Sequence, residues 1–537
     1  MNFDVLYNPY PSSRMVQFAN GGMVATSQPL AAQAGLDMLK KGGNAIDAAI
    51  ATAACLTVVE PTSNGIGGDA FALIWTNGEL HALNGSGRSP ESISIEKVQS
   101  MGHNAMPKFG FAPVTVPGVP ASWAALSERF GKLSLSDSLA PAVDYARYGH
   151  PVAPIVGKYW NRAWKGYSAH CTGDEFKHWF DTFSSRLEAR RPPVAGEIWH
   201  SAAHADTLAE IGQSNAKSFY TGSLAQAVHD FSAKHNGFIT ANDLSAFEAM
   251  WVEPISAHYH GHEVWQLPPN GQGLVGLIAL NILAAYDLDL NSVRSCHIIF
   301  EAMKIAFAAG KAAITDPAHM TVCMDEILSP AYAAKLREKI GKTATDPTPV
   351  LPNSGGTVYL ATADNEGNMV SYIQSNYMGF GSGLVVPGTG IALQNRGADF
   401  SLDPNHANSL KGKKLTYHTI IPGFLTRNDT PIGPFGVMGG YMQPQGHVQV
   451  ILNTIHARLN PQQALDAPRW QWTEGKKFEV EHHFPRHIIH GLSELGHQIV
   501  TPPDSGSFGR GQIIWRMENG SLCGGTESRC DGHIALY

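Results

Sequence analysis

The apolar residues of this chain change their period once, and the change falls at one stretch. Up to about residue 341 they recur mainly at helical spacing, and from residue 357 they alternate. Between lies Lys342–Gly356, Lys-Thr-Ala-Thr-Asp-Pro-Thr-Pro-Val-Leu-Pro-Asn-Ser-Gly-Gly, with the Thr, Pro, Ser and Gly content of an exposed connection. A chain with both periods can be neither a helical bundle nor a pure sandwich. Mixed helix and antiparallel sheet, an α+β class, is the expected outcome. With 537 residues it can bury two ordinary cores or one large layered unit.

The pieces can be placed approximately. Ser27–Lys41 has helical spacing and stops at Gly42-Gly43-Asn44, and Asn44 is placed to cap a near-continuous apolar helix running to Val59. The loop 60–69 leads into a strand over Ala70–Trp75, helices dominate from about Val116 to Ala246, and Leu274–Tyr286 and His297–Ala313 read as core helices. Beyond the connection, Thr357–Asp364, the turn Asn365-Glu366-Gly367-Asn368 and Met369–Ser375 read as a hairpin. Gly390–Gln394, Thr419–Leu425 and Phe435–Met438 are strand-like, and a helix spans about Gly446–Ile455.

Composition excludes several functions. Thirty-eight Lys and Arg against 45 Asp and Glu, with no long basic run, argue against a nucleic-acid groove. Ala45–Val59 and Leu274–Tyr286 are the most apolar stretches, and both are shorter than a membrane span. Six cysteines with no Cys-x-x-Cys pair remove the usual zinc and redox readings. The first residues, MNFDVLYNPYPSSR, show no basic segment followed by an apolar one, so the cytoplasm is the expected address. No cofactor is expected.

Among the motifs, Gly65-Ile66-Gly67-Gly68-Asp69-Ala70 matches a dinucleotide fingerprint but has a helix before it and a strand after it, the reverse of what phosphate binding needs. A tight turn lining another pocket is the better reading. His482, His483, His487 and His490 cluster in sequence, yet neighbours on a strand point to opposite faces, so no metal is expected there. Neither a G-x-S-x-G elbow nor H-E-x-x-H is present. Ser354-Gly355-Gly356-Thr357 is different: it puts a small-residue hinge directly before a hydroxyl that starts a strand. Cleavage before Thr357 would free an α-amine with a pKa of about 7.7–8.0, a base suited to activate the hydroxyl beside it.

Gly42–Ala49, Asn64–Asp69, Val116–Pro120, Thr357–Gly383, Met438-Gly439-Gly440, Ala467-Pro468-Arg469 and Gly524–Gly532 together resemble the γ-glutamyltransferases, in order and over essentially the whole chain. The resemblance implies an N-terminal nucleophile hydrolase with a four-layer αββα core. It implies a precursor that cuts itself at Gly356–Thr357 into a large subunit, residues 1–356, and a small one, 357–537, which together form one unit. Such heterodimers could pair further into a dimer.

Carried over by position, Thr357 is the expected nucleophile, and the amides of Gly439 and Gly440 the expected oxyanion donors. Arg88 is expected to grip a substrate carboxylate, and Asn376 and Asp399 a substrate α-amine. Two departures bear on the substrate. Arg396 stands where family members have an uncharged amide, and Tyr417-His418-Thr419 replaces a serine pair, placing His418 and Thr419 at the substrate. The lid segment Phe400–Lys414 is also short. A second cation disfavours an ammonium. The expected activity is therefore hydrolysis of a small amide bearing a carboxylate, oxamate being the example, as in the family's cytoplasmic branch. A typical γ-glutamyl site, with Arg396 paired to Asp399, is the alternative, and a non-catalytic small-acid-binding relative is another.

Overall fold

The computed structural model describes residues 14–347 and 356–537. The first 13 residues and most of the connection, including Ser354 and Gly355, lie outside them. Two antiparallel seven-stranded sheets form the centre. In one the order is His533–Leu536, Gly22–Thr26, Val358–Asp364, Met369–Ser375, Asp69–Thr76, Glu79–Gly85 and Met250–Val252. In the other it is Gln17–Ala19, Leu522–Thr526, Arg510–Arg516, Thr430–Met438, Gly423–Arg427, His262–Gln266 and Ile255–Tyr259.

Three cores separate four layers. Ala25, Phe71, Tyr359 and Ile373 of the first sheet meet Phe424, Met438 and Ile514 of the second, joining the sheets face to face. The outer face of the first sheet, through Ala72, Ile74, Leu360 and Tyr372, packs on the helices Ala45–Val59, Val119–Phe130 and Leu135–Tyr148. The outer face of the second, through Val264, Phe435, Val437 and Ile513, packs on Gly273–Leu283, Val293–Ala313 and Met442–Ile455. The result is the αββα sandwich.

Local sequence explains much of this. Asn44 caps the helix Ala45–Val59 in a reciprocal box with Asp47, and every residue of that helix is buried. The hairpin forms in the expected register, with Val358 opposite Gln374. Two readings need correction. Gly390–Gln394 forms only isolated bridges, Val385–Ala392 and Gly67–Leu393, because Gly388 and Gly390 take φ of +74° and +71°, which strand residues do not adopt. The strand expected from Thr419 begins at Gly423, just after Pro422, which has no N–H to give a ladder. The change of period along the chain is not a division in space, because each sheet interleaves strands from both sides of residue 356.

Candidate functional site

The hairpin register sets Thr357, one residue before its strand, against Ser375, the last residue of the partner strand. Thr357 Oγ1 donates to Ser375 Oγ at 3.1 Å, and Ser375 donates to the Gly356 carbonyl at 2.6 Å. Ser375 also accepts the Tyr377 amide at 2.8 Å, so its single proton is aimed at the carbonyl next to Thr357. Gly356 has φ +140°, and a Cβ there would lie 2.3 Å from the Gly379 nitrogen. Only glycine fits. Thr357 is buried behind Gly356, which itself lines a cavity of about 770 Å³.

Gly439 also lines this cavity. With Gly440 it joins the strand Thr430–Met438 to the helix Met442–Ile455, at φ of +135° and +61°. The Gly439 and Gly440 carbonyls accept the amides of Met442 and Gln443, turning into the helix. The trans peptide between them then points its N–H the opposite way, out of the helix N-terminus, where the dipole adds positive potential.

Arg396 is fully buried on the turn Arg396–Asp399. Its Nη1 donates to Thr419 Oγ1 at 2.8 Å and lies 3.6 Å from Asp399 Oδ2, and its guanidinium stacks 4.1 Å from the Tyr377 ring centre. Nε and Nη2 have no hydrogen-bond partner among the described residues. Asp399 Oδ1 accepts the hydroxyls of Tyr377 at 2.8 Å and Tyr441 at 2.9 Å. Lys311 hydrogen-bonds the Tyr441 hydroxyl, and its ammonium sits over the Tyr417 and Tyr441 rings at 3.9 and 4.0 Å. Burial pulls its pKa down to about 8. Tyr441 is the wall shared with the cavity.

Other expected residues lie elsewhere. Arg88 donates to Asp316 at 2.5 Å and to the Lys413 carbonyl at 3.0 Å, and it lines a separate cavity of about 480 Å³. Asn376 packs against Gly65 and Gly68, away from the cavity lining, and its neighbour Tyr377 is the one beside Asp399. His418 is fully buried: its Nδ1 accepts the Ile420 amide at 3.3 Å and its Nε2 meets Asp69 at 3.0 Å. Burial holds it neutral, well below the usual histidine range, and pushes Asp69 up to about 7. The glycines of 65–68 serve close packing, since a Cβ on Gly67 would lie 2.4 Å from the Ala392 carbonyl.

The histidines 482, 483, 487 and 490 are exposed on a turn and the helix Arg486–Glu494. A different set, His297, Glu301 and His497, clusters closely enough to hold an ion. There the Lys304 ammonium pairs with Glu301 at 2.6 Å, and His297 Nδ1 and His497 Nε2 hydrogen-bond each other at 2.8 Å.

Sequence reading missed Ser375, Tyr377, Tyr441 and Lys311. The hairpin count alone puts 357 opposite 375, so Ser375 was within reach. Tyr441 and Lys311 carry no such signal, because they meet only in the packed fold.

The gamma-glutamyltranspeptidase pattern matches residues 31–537. The chain belongs to that family. It is 38% identical to the glutathione hydrolase-like YwrD proenzyme of Bacillus subtilis, covering 95% of this chain and 97% of the relative. It is 34% identical to the oxamate amidohydrolase proenzyme of Klebsiella pneumoniae, over 96% and 98%. The crystal structure of a cephalosporin acylase from Bacillus halodurans superposes with a TM-score of 0.97 at 57% identity, covering 100% of this chain and 99% of that one. The protein is an amidohydrolase of the N-terminal nucleophile class within the gamma-glutamyltranspeptidase family. None of the helices among the described residues is long and apolar enough to cross a membrane.

Proposed function

We propose that this protein cuts itself between Gly356 and Thr357 and then hydrolyses the amide of a carboxylate-bearing acyl group through an acyl-enzyme on Thr357, in the cytoplasm. In the first reaction the Thr357 oxygen bonds to the Gly356 carbonyl carbon, and the Ser375 proton supports the oxygen as it gains charge. The C–N bond breaks, the nitrogen takes a proton, and water hydrolyses the resulting ester. This leaves a carboxylate on Gly356 and a free amine and hydroxyl on Thr357, now facing the cavity.

In the second reaction that amine takes the hydroxyl proton as Thr357 attacks the substrate carbonyl, then passes it to the departing amine. The amides of Gly439 and Gly440 hold the oxyanion. Water releases the acyl group.

The observation that carries the acyl assignment is Arg396: a guanidinium with no exposure and two nitrogens, Nε and Nη2, unused by the described residues. A buried donor without an acceptor costs about 1–3 kcal/mol, which a bound carboxylate recovers with a two-point contact. Arg396 also pairs with Asp399 at 3.6 Å, as the γ-glutamyl alternative expects, and Lys311 adds a second cation beside that carboxylate, which supports binding of one further negative charge. Oxamate is the smallest amide that fits these terms.

A second reading concerns the amine. A cavity of about 770 Å³ against Gly356 and Gly439 is far larger than an ammonia leaving group requires. That volume, with the likeness to a cephalosporin acylase, supports a carboxylate-bearing acyl group on a bulky amine. Mass spectrometry reads the processing, with two chains expected from wild type and one from Thr357→Ala. Specificity constants for oxamate, glutaryl-anilide and γ-glutamyl-anilide then decide the substrate. Faster turnover of the γ-glutamyl compound, unchanged in Arg396→Gln, removes the carboxylate assignment.

A further inference from the structure

We propose that the large cavity contains a second anion subsite, centred on Arg510 and opposed by Glu60, that sets how strongly a carboxylate on the departing amine is preferred. The inference rests on the reading of Thr357 as nucleophile.

Arg510 begins the strand Arg510–Arg516 and pairs in register with Met438, the residue before Gly439. It therefore stands beside the turn that receives the oxyanion, on the cavity wall. Its backbone is held from both sides. Arg469 takes the carbonyls of Phe508 and Gly509 at 2.9 and 3.0 Å, and Glu527 takes the Gly511 amide at 2.9 Å. Arg469 and Arg529 both pair with Glu527, in a buried network that accounts for the Ala467-Pro468-Arg469 and Glu527-Ser528-Arg529 motifs without placing them in the chemistry.

The side chain of Arg510 is 9% exposed. Its guanidinium lies 4.4 Å from the centre of the Tyr159 ring, and Nη1 is 3.1 Å from Glu60 Oε1. Glu60 is buried too, and Ser27 donates to its other oxygen at 2.5 Å. An arginine this desolvated, stacked on a ring at the edge of an open cavity, is built for an anion. Arg162 also lines the cavity, but it is exposed and faces Asp504, so it lacks that desolvation.

Glu60 meets the Arg510 guanidinium through Nη1. Burial pushes its carboxyl up to about 7, against the opposing pull of Arg510. The other groups around it are Ser27, Ser63 and Asp531, with Cys530 and Tyr159 against Arg510. An arriving carboxylate can therefore take the place of the Glu60 charge while Glu60 picks up a proton.

The test compares two amides with the same acyl group, glutaryl-3-aminobenzoate and glutaryl-anilide, by the ratio of their kcat/KM values. Wild type should prefer the aminobenzoate. Arg510→Gln should lower the ratio about tenfold, the worth of one charge-assisted contact. Glu60→Gln should raise it, because the guanidinium loses its competitor. Appearance of two chains confirms that each variant folds, and if Arg510→Gln does not process, Glu60→Gln and Arg510→Lys decide by the same ratio. Ratios within twofold of wild type in the variants that process overturn the subsite. If glutaryl-anilide is not turned over at all, the reading of a carboxylate-bearing acyl group is what fails. Calorimetric binding of free 3-aminobenzoate to wild type, weakened by Arg510→Gln, then still reads the subsite, and equal binding overturns it.

Discussion

Arg396 and Arg510 flank the same nucleophile, both nearly without solvent, and they are held in opposite ways. Arg396 is fully buried and 3.6 Å from Asp399 Oδ2, with two tyrosine hydroxyls and Lys311 gathered around that carboxylate, and its Nε and Nη2 have no partner among the described residues. Arg510 lies at the wall of an open cavity and already has a carboxylate, Glu60. The first arrangement leaves two guanidinium nitrogens open to an anion. The second offers a place to an anion only when Glu60 gives way, and it has space for a large body attached to that anion. Under the two proposals above, the acyl side discriminates tightly and the amine side permissively.

The largest test of this contrast is at the residue both sides share. Thr357→Ala should abolish processing and turnover of every substrate, read by mass spectrometry and product release, whichever arginine the substrate engages. Any turnover specific to one side would break the comparison at once. Gly440→Val should follow, with kcat reduced about 10²–10³-fold across substrates, because the oxyanion lies between the two pockets. A loss confined to KM would move Gly440 out of the chemistry.

Arg396→Gln should lower kcat/KM for carboxylate-bearing acyl groups by about 10–100-fold while leaving the preference for the amine in place. If the amine preference changes with it, the two sites are one. The smallest effect is in pH. Lys311 has its pKa drawn down to about 8, so its charge is present below that value and lost as pH rises through it. Its neighbours are Tyr441, Tyr417, Asp399 and His406, and with the ammonium gone Asp399 faces the acyl carboxylate with one cation fewer. KM for such substrates should rise about two- to fivefold above pH 8, and Lys311→Met should show the high-pH KM throughout. A flat profile in wild type would leave Arg396 as the acyl side's sole cation.

The residues that sequence reading placed well are those whose roles are set nearby in the chain. Asn44 and Asp47 are three apart and cap one helix, and residues 357 to 375 form one hairpin whose register follows from a four-residue turn. Arg88 shows the limit. Its charge was visible, but Asp316, 228 positions away, takes the guanidinium. Asn376 shows another: just past the strand end at Ser375 the chain turns, with Tyr377 at φ +74°, so that Asn376 packs on Gly65 and Gly68 while Tyr377 meets Asp399.

The mixed class, the helix caps, the glycine before Thr357 and the family motifs were legible along the chain, because spacing, turn chemistry and short motifs act over a few residues. The tertiary structure decided which charges meet. Glu60 reaches Arg510, Lys311 reaches Tyr441 and Asp399, and Thr419 reaches Arg396 only because the two sheets stack and draw strands from both sides of residue 356. The substrate preference is written in those encounters, since a guanidinium becomes a selective anion site only where packing removes water and fixes which acceptors are already taken.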